Sequence, residues 1–481
     1  MTDAPIAMTC TSDAQRLRRF VYLLVIALAA GNGLANILTV TVLYSPARPW
    51  PKHSPPHSPM FSANDRSRWC TVWSLVERGT YQIDEIIQQR GWNTIDKGRF
   101  QDHFYSSKPP FLSTIVAGIY WTVKRTTGLD LVENTHETVQ VILLIINWLP
   151  WIIALALLAA IGERYARSDW SRMYLIVASA GGTFLTTFLT TFNNHTIAAC
   201  SVVFALYSIL RIVNDGQHAG WRFAMAGFWG AFATCCEIPA ALFGLALFAA
   251  LIRRSPAQTF RWFIPAALVP LAFFFYTNWL CTGSIKPFYA NFGSANDTFY
   301  KYVYDGVPSY WMNPSAQDVG ETSAWTYLFH CTLGHHGILS LSPMFLLTVA
   351  GWSQLRKQFP LRLVCGWSLI LTAGVLAFYL WQTKSYNYGG NTSGLRWAFW
   401  LIPLWLSGMV PALDEWGDRR GFRVLCLCLL VISVFSAIFP HNNPWQKPWL
   451  MNLVALSPQD VHRGGLSQMI SHHFDRGTVD L

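Results

Sequence analysis

Charge is what this chain has least of. Of its 481 residues only 12% are Asp, Glu, Lys or Arg, while 52% are apolar. Soluble domains average about 25% charged residues, and a chain with so few cannot cover its apolar surface in water. An ordinary soluble enzyme is thereby excluded, as is a disordered chain, which needs low hydrophobicity. Phosphate-cradling loops are missing too. There is no G-x-x-x-x-G-K or G-x-G-x-x-G element, the patterns that cradle nucleotide phosphates. The ten cysteines show no zinc spacing. No internal repeat is visible, which counts against transporters built from inverted repeats. The 35 Lys and Arg outnumber the 25 Asp and Glu, for a net charge of +10. In a chain this apolar the excess belongs to cytoplasmic loops and lipid headgroups, not to nucleic acid.

What is present is a series of apolar runs long enough to cross a bilayer, which takes about 20 residues each. The first spans residues 20–43 behind Arg16, Arg18 and Arg19, which places residues 1–19 in the cytoplasm; a cleaved signal peptide is the competing reading, against which the length of the run speaks. Further runs fill 111–281 and 337–440. The expected architecture is an all-α polytopic membrane protein of about ten to twelve transmembrane helices. Long outside loops at 44–110 and 282–336 form an extracytoplasmic cap, and a tail at 441–481 lies on the same side. Basic loops at Arg164, Arg211, Arg253, Arg356 and Arg419 read as cytoplasmic. Counting sides then leaves two options. Either the short run after Pro110 starts and finishes on one side, or Phe223–Ile252 is one broken span. The first respects more positive charges and puts Asn193, Asn194 and His195 outside.

Within the outside segments, Trp69, Val72, Trp73, Leu75 and Val76 recur at helical spacing and predict an amphipathic helix lying on the membrane. Ser45–Pro59 is proline-rich and reads as a linker. Cys281 and Cys331 flank the second large loop, where a disulfide is one option.

The chemistry concentrates in two stretches, Asn64-Asp65-Arg66-Ser67-Arg68-Trp69 and Tyr105-Ser106-Ser107-Lys108-Pro109-Pro110. A carboxylate can deprotonate an acceptor hydroxyl, and Arg68 and Lys108 can hold a phosphate leaving group. Read structurally instead, Asp65 and Arg68 are a surface i,i+3 pair and Lys108 snorkels.

The pattern Asp65-x-x-Arg68-Trp69 followed by Lys108-Pro109-Pro110 resembles the GT-C superfamily of membrane glycosyltransferases. It is most similar to the branch of the aminoarabinose transferases and protein O-mannosyltransferases. The resemblance implies a polyprenyl-phosphate sugar donor, inversion at the anomeric carbon and Asp65 as general base. It also implies Arg68 and Lys108 at the donor phosphate, and an active site facing outward from a bacterial plasma membrane. The acceptor, whether lipid, glycan or protein, is left unspecified. No cofactor is certain, and a divalent metal is an open option. Two departures stand out: Arg66 where many relatives carry Glu, and Asn193-Asn194-His195 where many carry a second acid.

Further candidates lie in three other places. Gly334-His335-His336-Gly337 can bind phosphate or metal, or simply turn the chain. In Tyr386–Trp397, Arg396 can clamp the donor phosphate and Tyr388 or Trp397 can stack on a sugar, or the pair Arg396-Trp397 anchors the interface. Glu237 interrupts an apolar region, where an acid is costly, or caps the next helix. The alternative to an enzyme is a lipid-linked sugar flippase or solute transporter.

Overall fold

The computed structural model describes residues 6–39, 43–44, 60, 62–287, 290, 297–314, 318–382, 386–455 and 478–479. The Ser45–Pro59 linker and most of the tail lie outside these. Among the described residues eight helices are long and apolar enough to cross a membrane. Two shorter apolar helices, Ile238–Ile252 and Pro343–Trp352, bring the set to the lower edge of the expected number. The chain is an all-α polytopic membrane protein.

The helices follow as α1 (Ile6–Thr39), α2 (Ala63–Glu77), α3 (Pro110–Thr127), α4 (Thr135–Tyr165), α5 (Asp169–Thr190), α6 (Asn194–Asp215), α7 (Gly220–Cys236), α8 (Ala241–Ile252), α9 (Pro256–Thr282), α10 (Ala324–Thr332), α11 (Leu346–Trp352), α12 (Arg362–Gln382), α13 (Ile402–Trp416) and α14 (Arg420–Ile438). A 3₁₀ turn, Arg396–Leu401, leads into α13. That segment is central: 94% of its apolar window is buried, against 17% for α1.

Basic loops meet at one end of the bundle. Arg18 on α1 pairs with Glu163 at 2.9 Å, Arg164 and Arg211 both reach Asp215 at 2.6 Å, and Lys357 holds Glu415 at 2.5 Å. Arg164 and Arg211, read from sequence as cytoplasmic, thus meet at one carboxylate, as a single-sided positive charge would place them.

At the opposite end α1 and α4 meet. Gln140 on α4 donates to the Leu38 carbonyl of α1 at 3.0 Å, so α1 ends where α4 begins. Everything between them, α2 and α3 included, starts and finishes at that end. The 223–252 region is two helices, α7 and α8. Pro239 breaks them because it has no N–H to donate and sits in the 3₁₀ turn Ile238–Ala240.

The two large loops interlock over this end. Lys97–Phe100 (β1) and His103–Ser106 (β2) form an antiparallel hairpin, with Lys97 opposite Ser106. The Arg99 amide donates to the Phe299 carbonyl at 2.8 Å, and Trp311 Nε1 to that of Ile95 at 2.9 Å. This cover changes the character of α2. The spacing predicts a one-sided helix, yet Asn64, Asp65, Ser67, Arg68, Thr71 and Ser74 are buried along with Trp69 and Val72. The polar face is dry because the hairpin supplies its partners: Ser67 Oγ donates to the Asp96 carbonyl at 2.5 Å. Cys281 and Cys331 remain separate thiols, with Cys331 turned inward beside Tyr327.

Candidate functional site

Asp65 sits in the first turn of α2, fully buried. Its Oδ1 accepts from the Ser62 amide at 2.7 Å, the Ser62 hydroxyl at 3.0 Å and the Arg66 amide at 2.9 Å. With Ser62 it forms a capping box, which satisfies amides left open at the helix start. One turn on, Arg68 points its guanidinium at two amides. Nη1 donates to the Asn64 side chain and, at 3.1 Å, to the Asn64 carbonyl; Nη2 donates to Asn194 Oδ1.

Asn194 opens α6, whose start is fixed by Asn193: its Oδ1 accepts from the Thr196 amide at 2.8 Å. Asn194 Nδ2 donates to Glu237 Oε1 at 2.6 Å and to the Cys236 carbonyl at 2.9 Å. Glu237, at the α7–α8 break, also lies against His195 Nδ1. His195 Nε2 accepts from Arg396 Nη1 at 3.3 Å. Arg396 in turn donates through Nε to the Gly389 carbonyl at 2.9 Å and lies 4.6 Å over the Trp445 ring, a cation–π contact. Asn194, His195, Glu237, Arg68 and Arg396, drawn from four segments, thus form one buried chain of contacts.

Lys108 joins this group through Asp96, with Nζ 3.1 Å from its Oδ2. The Pro109-Pro110 pair starts α3, where a fixed φ suits the first helical position, and so holds Lys108 at that end. Burial pulls Lys108 down to about 8; Asp96 opposes the shift, while the charges of Arg68 and Arg396 add to it. Burial and then Arg396 pull Arg68 down to about 10, against the opposing charges of Asp96, Asp65 and Glu237. The three cations therefore sense one another.

His335, His336 and Tyr388 fall in a second group. The His336 ring lies 4.4 Å from that of Tyr388 and parallel to it. His336 Nε2 donates to the Thr392 carbonyl at 3.1 Å, and the Tyr388 hydroxyl donates to Glu321 Oε1 at 2.7 Å. Burial pushes His336 down to about 3 and His335 to about 4. A cavity of about 170 Å³, bordered by Glu321, His335, His336, Tyr388 and Lys447, opens beside them. The 386–396 loop links both groups, since Gly389 follows Tyr388 and binds Arg396.

Asp96 and Trp445 escape sequence reasoning. Asp96 stands in a polar stretch with no spacing to mark it, and Trp445 is one of 23 tryptophans. Glu321 and His330, beside the second group, are likewise unmarked.

No protein-family model and no curated protein matches the sequence. Among solved structures, ArnT from Cupriavidus metallidurans in the apo state is similar over 87% of this chain and 64% of its own, at 13% identity and a TM-score of 0.44. The apo oligosaccharyltransferase of Archaeoglobus fulgidus is similar over 92% of this chain and 59% of its own, at 12% identity and a TM-score of 0.45. The oligosaccharyltransferase AglB of the same archaeon, in complex with an inhibitory peptide and a dolichol-phosphate, is similar over 93% of this chain and 59% of its own, at 13% identity and a TM-score of 0.43. The chain thus spans about three fifths of the length of the structures it matches.

Proposed function

We propose that this chain is an integral membrane glycosyltransferase. It moves a sugar from a polyprenyl-phosphate donor to an acceptor hydroxyl on the extracytoplasmic side, with inversion. The observation that supports this most is the crowding of Arg68, Lys108 and Arg396. Buried cations that lower one another's proton affinity gain most from an anion placed among them. A departing lipid phosphate is such an anion, and Arg presents the forked donors that suit it.

In this reading the acceptor oxygen attacks the anomeric carbon as the bond from that carbon to the phosphate oxygen breaks. Asp65 takes the acceptor proton. Arg68, Lys108 and Arg396 hold the phosphate that leaves with the bonding pair. Asn194 and the Glu237–His195 pair keep Arg68 and Arg396 in place.

The test uses the purified chain in lipid vesicles with radiolabelled polyprenyl-phosphate sugars, for wild type and Asp65→Asn. The amide keeps an acceptor for the capping box but takes no proton. Turnover in the wild type that vanishes in the variant supports the reading. Equal turnover removes Asp65 as the base. No turnover with any donor, together with flipping of the lipid across the same vesicles, overturns the enzyme in favour of a flippase.

A further inference from the structure

Beside the cavity stand Glu321, His330 and His335, each offering one ligating atom, and these atoms all lie within 4.8 Å of one another. We propose that they form a zinc site of two imidazoles and one carboxylate, with its fourth position open.

The donor set is the first argument. Zinc takes imidazole nitrogen and carboxylate oxygen in tetrahedral geometry, and two His with one Glu leave a place for a further ligand. Hydrogen bonding is the second. The Thr392 carbonyl only accepts, so His336 Nε2 carries the hydrogen and His336 Nδ1 keeps its lone pair. His335 Nδ1 stands 2.5 Å from that lone pair and donates to it. The other nitrogen of His335, Nε2, is then the lone-pair nitrogen, the form a metal binds. A metal-bound histidine characteristically donates its second N–H to a fixed acceptor in this way.

Glu321 is held similarly. The Tyr388 hydroxyl fixes Oε1 and leaves the second oxygen for an ion. His330 accepts on Nδ1 from the His335 amide at 3.4 Å, a long bond that a metal replaces at small cost. The His330 and His335 rings are stacked, with centroids 3.8 Å apart; ring lone pairs lie in the ring planes, so one imidazole turns about its side-chain torsions for both to meet one ion. Ligands about 2.1 Å from zinc in a tetrahedron stand about 3.4 Å apart, so binding draws the trio together by an amount that side-chain torsions supply. Glu321 and His335 line the cavity, which gives the ion a way in. None of Asp65, Arg68, Lys108 or Arg396 takes part, so this inference stands or falls apart from the transfer reading.

The test uses the full chain without a polyhistidine tag, purified in detergent and stripped with a chelator. Zinc alone is titrated in and the bound metal counted by mass spectrometry; cobalt(II) is then substituted to read a visible spectrum. One tightly held equivalent is expected. Glu321→Gln and His335→Ala should each weaken it by tenfold or more, while His218→Ala, which removes a histidine bonded to Ser255, should not. His335→Cys should keep the cobalt and add a sulfur-to-cobalt charge-transfer band, a signature that loss of fold cannot imitate. No stoichiometric metal in the wild type overturns the site. So does equal affinity in wild type and His335→Ala, or a His335→Cys protein that binds cobalt without the new band.

Discussion

Arg68 and Glu237 are held to each other by one amide. Asn194 accepts from the Arg68 guanidinium with its oxygen and donates to the Glu237 carboxylate at 2.6 Å with its nitrogen. An amide suits this place because the two neighbours need opposite hydrogen-bonding partners, and it carries both an acceptor and a donor. Asn194→Leu leaves a buried guanidinium and a buried carboxylate each short of a partner, at about 1–3 kcal/mol or more. Turnover of lipid-linked sugar should fall by about one to two orders of magnitude. Asn193→Ser, which keeps a cap at the start of α6, should stay within a few-fold of wild type in the same vesicle assay.

Lys108 predicts an alkaline limit. Its folded value is near 8, below the ordinary lysine range, so the ammonium is charged below that pH and is lost above it. A phosphate held by Lys108 should therefore bind less well as pH rises through about 8. Measured as KM for the donor against pH, wild type should show the rise and Lys108→Arg should not, because guanidinium stays charged. Sign and window also apply to stability. The unfolded chain holds the Lys108 proton up to its higher ordinary value, so this group adds stability as pH rises from about 8 toward that value.

Asp65 and Glu237 stand with Asp96 among the acids near the cations, and substitutions of the first two should differ. Glu237→Gln keeps the acceptor for Asn194 but removes the charge beside His195. Turnover about tenfold lower, with an unchanged dependence on Asp65, is expected from a positioning role. Abolition by Glu237→Gln together with survival of Asp65→Asn would move the base to the Glu237–His195 pair.

Gly389 tests how the loop serves Arg396. Its φ is +98°, and a Cβ there would meet Arg396 Nε at 2.8 Å. Gly389→Ala should lower turnover tenfold or more by displacing that guanidinium. Gly79→Ala, also at positive φ (+67°) but with open space around it, should cost about 1–2 kcal/mol of stability and leave turnover unchanged. Thermal unfolding and vesicle turnover on both variants separate the two effects.

Apolar length and basic loops were enough for the polytopic class, because a bilayer imposes the same demand on every crossing. The Pro109-Pro110 start of α3 and the Asn193 cap of α6 are each settled within one turn of helix. The periodicity of α2 misled, because it reports which residues are apolar and not what covers the polar ones. The hairpin that meets Ser67 and the Asn194 that meets Arg68 come from further along the chain.

By itself, then, the sequence determined that the chain crosses a membrane many times, and which short stretches carry acids and cations at one end. Tertiary structure alone decided that Asp96 would stand against Lys108, that Asn194 would join Arg68 to Glu237, and that Glu321 would meet His330 and His335. Such pairings depend on where distant helices and loops come to rest, and local spacing holds no record of that. They hold because a polar group removed from water must find its partner inside the protein, wherever in the chain that partner lies.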